Sequence, residues 1–219
     1  DKPRAHRRGD TMIRTLIFLL GAALAIGSAS ANRVATGDLA PPAQQKPATP
    51  AADEDEDARA RAYFTDRPLL THEGKAVRFY TDVLKDRVVL INFIYTNCKD
   101  ACPLMTQMLN KVRDSLGERF DNPVRFVSIS TDPERDTPQA LKKFASQQKA
   151  DDPGWFFLTG AKQNVDFIIK RLGQYSPNVE AHSTLMLAGN VRTRHWIKIR
   201  PMTPPAAILA KLEALAAES

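Results

Sequence analysis

Cysteine is nearly absent: two thiols in 219 residues exclude a disulfide-rich scaffold and every zinc or iron–sulfur site built on four thiolates. Glycine is scarce as well. With ten glycines, the chain has neither a P-loop nor a dinucleotide fingerprint, which sets aside the common phosphate-cradling enzymes. A surplus of one charge is missing too, despite a formal net charge of +6. Residues 1–31 hold five basic side chains (Lys2, Arg4, Arg7, Arg8, Arg14) against Asp1 and Asp10, leaving 26 basic and 23 acidic residues beyond them. Charge therefore gives no argument for a nucleic-acid partner. No internal repeat is visible, and the length suits one globular domain with extras.

One long apolar run does occur, near the start. Met12-Ile13-Arg14 gives a basic lead, Leu16 to Ile26 an apolar stretch, and Ala29-Ser30-Ala31 a small-residue cleavage pattern. This reads as a secretory signal. The competing reading is an uncleaved anchor, although a bilayer span requires about 20 predominantly apolar residues. In either case the globular part is exported, to a periplasmic or equivalent space, and its thiols work outside the reducing cytosol. The membrane enters only through that segment. Residues 32–60 read as a disordered linker: four prolines (Pro41, Pro42, Pro47, Pro50) lie among Ala and Gln, followed by the acidic run Asp53 to Asp57. The folded domain is expected over residues 61–219.

Within it, Leu69 to Tyr80 carries apolar stretches on either side of Glu73-Gly74-Lys75, a hairpin signal. Val88 to Tyr95 is an almost unbroken β-branched and aromatic run, the pattern of a strand covered on both faces. Leu104, Met105, Met108, Leu109, Val112 and Leu116 then fall at helical spacing. Val124 to Ile129 reads as a strand, followed by a helix with Thr137 as N-cap and Pro138 at its first position. Trp155 to Leu158 is a third strand, leading to a helix marked by Val165, Ile168, Ile169 and Leu172. Strand signals around Thr184–Leu187 and His195–Ile199 flank a Gly189-Asn190 turn signal, and a last helix starts near Pro205. The alternation predicts an α/β fold: a mixed sheet flanked by helices, with an N-terminal hairpin.

Both cysteines fall in Cys98-Lys99-Asp100-Ala101-Cys102-Pro103, between the most buried strand and the first long helix. Ligands in α/β folds gather at that end of a strand. Pro103 suits a first helical turn, which places Cys98 and Cys102 on the incoming loop beside a helix N-terminus, a setting that favours thiolates. Lys99 adds a positive charge beside Cys98. A structural disulfide fits the spacing, but closing so short a loop removes little chain entropy and suits a redox switch better than a staple. A metal site needs a third ligand. His72 and His195 read as surface or packing residues, whereas His182 sits at a loop-to-strand boundary able to face the thiols across the sheet. Two thiolates and one imidazole form a soft, low-coordinate set suited to copper. Met105, Met108 and Met186 are candidate thioethers that read as core.

The segment Phe93 to Pro103 (FIYTNCKDACP), the run Val127 to Pro138 (VSISTDPERDTP) and His182-Ser183 together resemble the Sco/SenC family over about Phe64 to Leu215. The resemblance implies a thioredoxin-like fold and an exported or membrane-anchored copper protein that delivers copper to the binuclear centre of cytochrome c oxidase. It further implies that Cys98, Cys102 and His182 hold one copper ion, Cu(I) or Cu(II). A copper-acceptor subunit of a respiratory oxidase or similar cuproprotein, and a thiol reductant protein, are then its partners, with the chain working as a monomer. The chain departs from the family at Lys99, where proline is common, at Ala181, where Asp usually precedes the His, and at Ala188-Gly189-Asn190, which replaces an acidic turn. The ligand set is untouched by these changes. Two functions follow: a non-enzymatic copper carrier, and a thiol–disulfide oxidoreductase in which Cys98 and Cys102 are the catalytic dithiol. Peroxide reduction at Cys98 is a third.

Overall fold

The computed structural model describes residues 50–218, so the signal or anchor segment and the linker up to residue 49 lie outside the described residues. Seven strands form one sheet in the order β2-β1-β5-β4-β3-β6-β7. The hairpin of β1 (Pro68–Thr71) and β2 (Ala76–Arg78) turns at Gly74, whose φ of +77° suits a residue without Cβ. β3 (Val88–Ile94), β4 (Val124–Ser130) and β5 (Trp155–Thr159) run parallel at the centre, while β6 (Met186–Asn190) and β7 (His195–Ile199) continue antiparallel.

Period-two alternation along β3 divides the interior in two. Val88, Leu90 and Ile94 face a core completed by α2 (Ala101–Leu116), α3 (Pro138–Gln147) and α5 (Pro205–Ala216). Val89, Ile91 and Phe93 face the opposite core, completed by α4 (Lys162–Arg171) and by a π-helical turn at Phe79–Leu84. All seven β3 residues are buried, as its unbroken apolar run predicts. Thr137 caps α3 by accepting from the Ala140 N–H at 3.2 Å, with Pro138 in the first turn.

Two local expectations are corrected. The acidic end of the expected linker is helical, because α1 (Pro50–Phe64) places opposite charges one turn apart: Asp55 with Arg59 at 2.6 Å and Asp57 with Arg61 at 2.8 Å. Such exposed pairs stabilise a helix only slightly. Docking adds more, since Phe64 is buried against Tyr80 and Trp196, and Asp57 accepts from the Tyr80 hydroxyl and pairs with Lys85. The second correction concerns Gly189 and Asn190, which end strand β6 instead of turning. Gly189 pairs with Trp196 of β7, and a Cβ there would overlap the indole ring. Glycine is therefore required for cross-strand packing. Gly189→Ala is expected to cost about 1–3 kcal/mol through displacement of Trp196 from Phe64; an unchanged urea midpoint would show that the indole moves aside freely.

Candidate metal centre

β3 delivers the chain to the dithiol. Its last residue, Ile94, is followed by the Tyr95–Asp100 loop, and α2 begins at Ala101. No side-chain oxygen caps α2. Its Cys102 N–H donates instead to Cys98 Sγ at 3.2 Å, so a sulfur occupies the place of a capping oxygen at the positive end of the helix. Both thiols are free. Cys98 is half-buried on the loop, while Cys102 lies within the first turn of α2 and is buried. The expectation that both lie before the helix thus holds for Cys98 alone. Pro103 needs no backbone donor in the first turn, so the helix starts ahead of it.

The two sulfurs are electrostatically unlike. Partial burial pushes the Cys98 thiol up, but hydrogen bonds from the Cys102 thiol and backbone, from the Asp100 backbone and from the Tyr95 hydroxyl outweigh it, and its pKa falls below the ordinary value. Burial pushes the Cys102 thiol up to about 12, with its contact to Cys98 adding to the effect. One sulfur is thus poised to ionise and the other is held protonated.

His182 closes a 3₁₀ turn at Val179–Ala181, where the Asn178 side chain accepts from the Glu180 N–H. Its Nδ1 lies 2.7 Å from the Val179 carbonyl oxygen. A carbonyl only accepts, so Nδ1 carries the proton and Nε2 keeps its lone pair, the tautomer suited to a metal ligand. The ring packs edge-on against Tyr95, with centroids 5.4 Å apart and planes at 88°. Tyr95 therefore bridges His182 and Cys98. The three ligand atoms do not all lie within 4.8 Å of one another. The donor chemistry fits a soft cation, and the imidazole stands across Tyr95 from the sulfurs.

Among the described residues, His72, Glu73 and Asp151 do bring their ligand atoms within 4.8 Å. That cluster is poorly suited to a metal. The Phe157 N–H donates to His72 Nδ1, so Nε2 carries the proton and lies 3.3 Å from Asp151 as a donor, and the one ring lone pair is already engaged by the backbone. His195 pairs with Glu218 at the surface. Met105 and Met186 are buried in the core and Met108 packs against it, as their spacing predicts. Leu104, by contrast, is 66% exposed in the first turn of α2, two residues after Cys102. A hollow of ≈ 450 Å³ lined by Tyr63, Phe64, Leu172 and Trp196 lies beneath α1, away from the thiols.

Sequence reasoning overlooked Tyr95, whose bridging position depends on where the 178–182 loop lies. It also overlooked Asp136, which is buried, whereas its neighbour Arg135 pairs with Asp132 at 3.2 Å.

A mixed sheet whose central strand leads to a dithiol at a helix N-terminus defines a thioredoxin-like protein. The SCO1/SenC family model matches residues 54–217, and the chain belongs to that family. A SCO1 protein homolog of Bacillus subtilis is 42% identical over 93 residues, 42% of this chain and 46% of that protein. The match therefore spans less than half of the relative's length. The copper-bound structure of Bradyrhizobium japonicum ScoI superposes with a TM-score of 0.57 and 27% identity, covering 68% of this chain and 96% of that one. BsSco, described as carrying a disulfide switch and as a member of the Sco family of cytochrome c oxidase assembly proteins, gives 0.58 and 27%, covering 69% and 92%.

Proposed function

We propose that the chain is an exported copper metallochaperone that carries one copper ion on Cys98, Cys102 and His182 and passes it to the copper centre of a respiratory oxidase. The observation that carries the reading is the donor set on one rim: a sulfur at a helix N-terminus, a second beneath it, and an imidazole with Nε2 free across Tyr95. The copper-bound relative and the family's place in oxidase assembly support it. Copper is cargo here. A half-buried site with few ligands lets an acceptor's own thiolates displace the protein's in turn.

Anaerobic titration of the reduced full chain tests this. Wild type is expected to bind one copper with thiolate–copper absorption, and His182→Ala to lose affinity by on the order of 100-fold. Weak binding by wild type, or an unaltered His182→Ala titration, would falsify the three-ligand site.

The unequal thiols favour one further reading of the same pair, as a reductant of the acceptor's cysteines. Cys98 attacks the partner disulfide, one partner sulfur leaves as thiol, and Cys102 displaces the other to close Cys98–Cys102. The partner disulfide is reduced and this dithiol oxidised, so a thiol reductant protein must restore it.

A further inference from the structure

Asp136 is 1% exposed, and no ion pair to it occurs among the described residues. A buried carboxylate without a counter-ion is costly unless donors surround it. Here the donors come from the loop after β3 and from the end of β4. Thr96 gives its backbone N–H at 3.1 and 3.3 Å to the two carboxylate oxygens and its hydroxyl at 2.6 Å, and Ser130 gives its hydroxyl at 2.6 Å. Thr96 lies two residues before Cys98, and Ser130 ends β4. The Ser130 oxygen in turn accepts from the Asp132 N–H at 3.0 Å, and the Thr131 N–H donates to the Ile94 carbonyl at 2.8 Å. The neighbouring charge is Asp132, of the same sign. Turn and cap chemistry around Pro138 is complete with Thr137 alone, and the acid is left over.

We propose that Asp136 is a positioning residue for the dithiol, clamping the Thr96–Cys98 loop to the end of β4 and thereby setting the reach of the Cys98 sulfur towards Cys102. The proposal rests on Cys98 and Cys102 being the working pair and is independent of copper. Without the clamp, Thr96 loses three of its bonds to the neighbouring loop and the Cys98 loop samples more positions, so fewer of them bring the sulfurs together.

The test equilibrates full-length wild type, Asp136→Ala, Asp136→Asn and Thr96→Val with reduced and oxidised glutathione, then traps and measures the Cys98–Cys102 disulfide. In this exchange the protein dithiol becomes a disulfide as one glutathione disulfide becomes two thiols. Asp136→Ala is expected to lower the equilibrium constant for disulfide formation at least tenfold, about 30 mV for a two-electron couple. Thr96→Val, which removes one hydroxyl and keeps the backbone bonds, shifts it the same way by less, and Asp136→Asn recovers part of the loss. Circular dichroism confirms that each variant is folded at the assay temperature. Should Asp136→Ala not fold, Thr96→Val and Asp136→Asn decide the matter. Folded variants with the wild-type constant overturn the proposal and leave Asp136 a fold residue. If wild type takes up no copper while the variants still shift the constant, the copper reading fails and the positioning role stands.

Discussion

Iodoacetamide at pH 8 is expected to label Cys98 and to leave Cys102 unmodified over the same interval, at least 100-fold slower by peptide mass spectrometry. The reason is the burial that raises Cys102 to about 12 while Cys98 falls below the ordinary thiol value. At pH 8 a thiol four units below its midpoint is ionised to about one part in 10⁴. A more basic thiolate is intrinsically more nucleophilic, with a Brønsted slope of about 0.4–0.5, which returns somewhat more than a factor of ten over the difference between the pair. Burial of Cys102 behind the first turn of α2 adds steric protection. The pH dependence has a definite sign: Cys98 labelling rises with pH and reaches half its maximum below the ordinary thiol midpoint, whereas Cys102 labelling is still rising well above it. Equal rates in the folded chain would remove the electrostatic asymmetry and, with it, the assignment of Cys98 as attacking sulfur. The same chain in urea, where both thiols are exposed, supplies the reference of near-equal rates.

The asymmetry was partly legible in the residues, and the part that was not has a clear physical origin. The β-branched run before Cys98 and the helical spacing after it place the thiols at a strand-to-helix junction without any coordinates. The exact helix start was not legible, because it depends on Cys98 Sγ taking the Cys102 N–H, a tertiary substitute for a cap that no local rule anticipates. His182 was legible as a boundary residue, but its tautomer depends on the Val179 carbonyl and its neighbour on the fold of β3. Asp136 was not legible for the same reason: patterning around Pro138 is local, whereas three of the bonds to its carboxylate come from Thr96, 40 residues upstream. Gly189 shows the converse case. Gly-Asn is a turn signal by itself, and only the indole across the strand pair makes glycine necessary within β6. Local patterning therefore yields the elements and their order, while the features that tune the site come from pairings between distant segments.

Trp155→Ala is expected to lower unfolding free energy by about 3–5 kcal/mol, the range for emptying a large aromatic site in a packed core. Trp155 is fully buried and pairs with Phe126 in the β4–β5 register, meeting that ring edge-on at 5.1 Å and stacking on Phe157 at 5.5 Å. Its Nε1–H donates to Ser128 Oγ at 2.9 Å, and that hydroxyl donates to Asn92 at 2.7 Å. Truncation thus opens a cavity under α3 and removes one partner from a buried polar chain that crosses three strands. Trp155→Phe fills most of the space but leaves Ser128 without its donor, so it should cost about 1–3 kcal/mol. Urea unfolding measures both, as a shift in midpoint at constant slope. Ser128 is two residues from Ser130 but on the far side of it from the Asp136 clamp, so the Cys98-to-Cys102 labelling ratio of the folded variants should match wild type. A loss in Trp155→Ala of under about 1 kcal/mol would mean that the sheet face closes over the cavity, unlike a close-packed core. A changed labelling ratio would instead tie the aromatic cluster to the dithiol, and the clamp at Asp136 would no longer suffice to explain how Cys98 is placed.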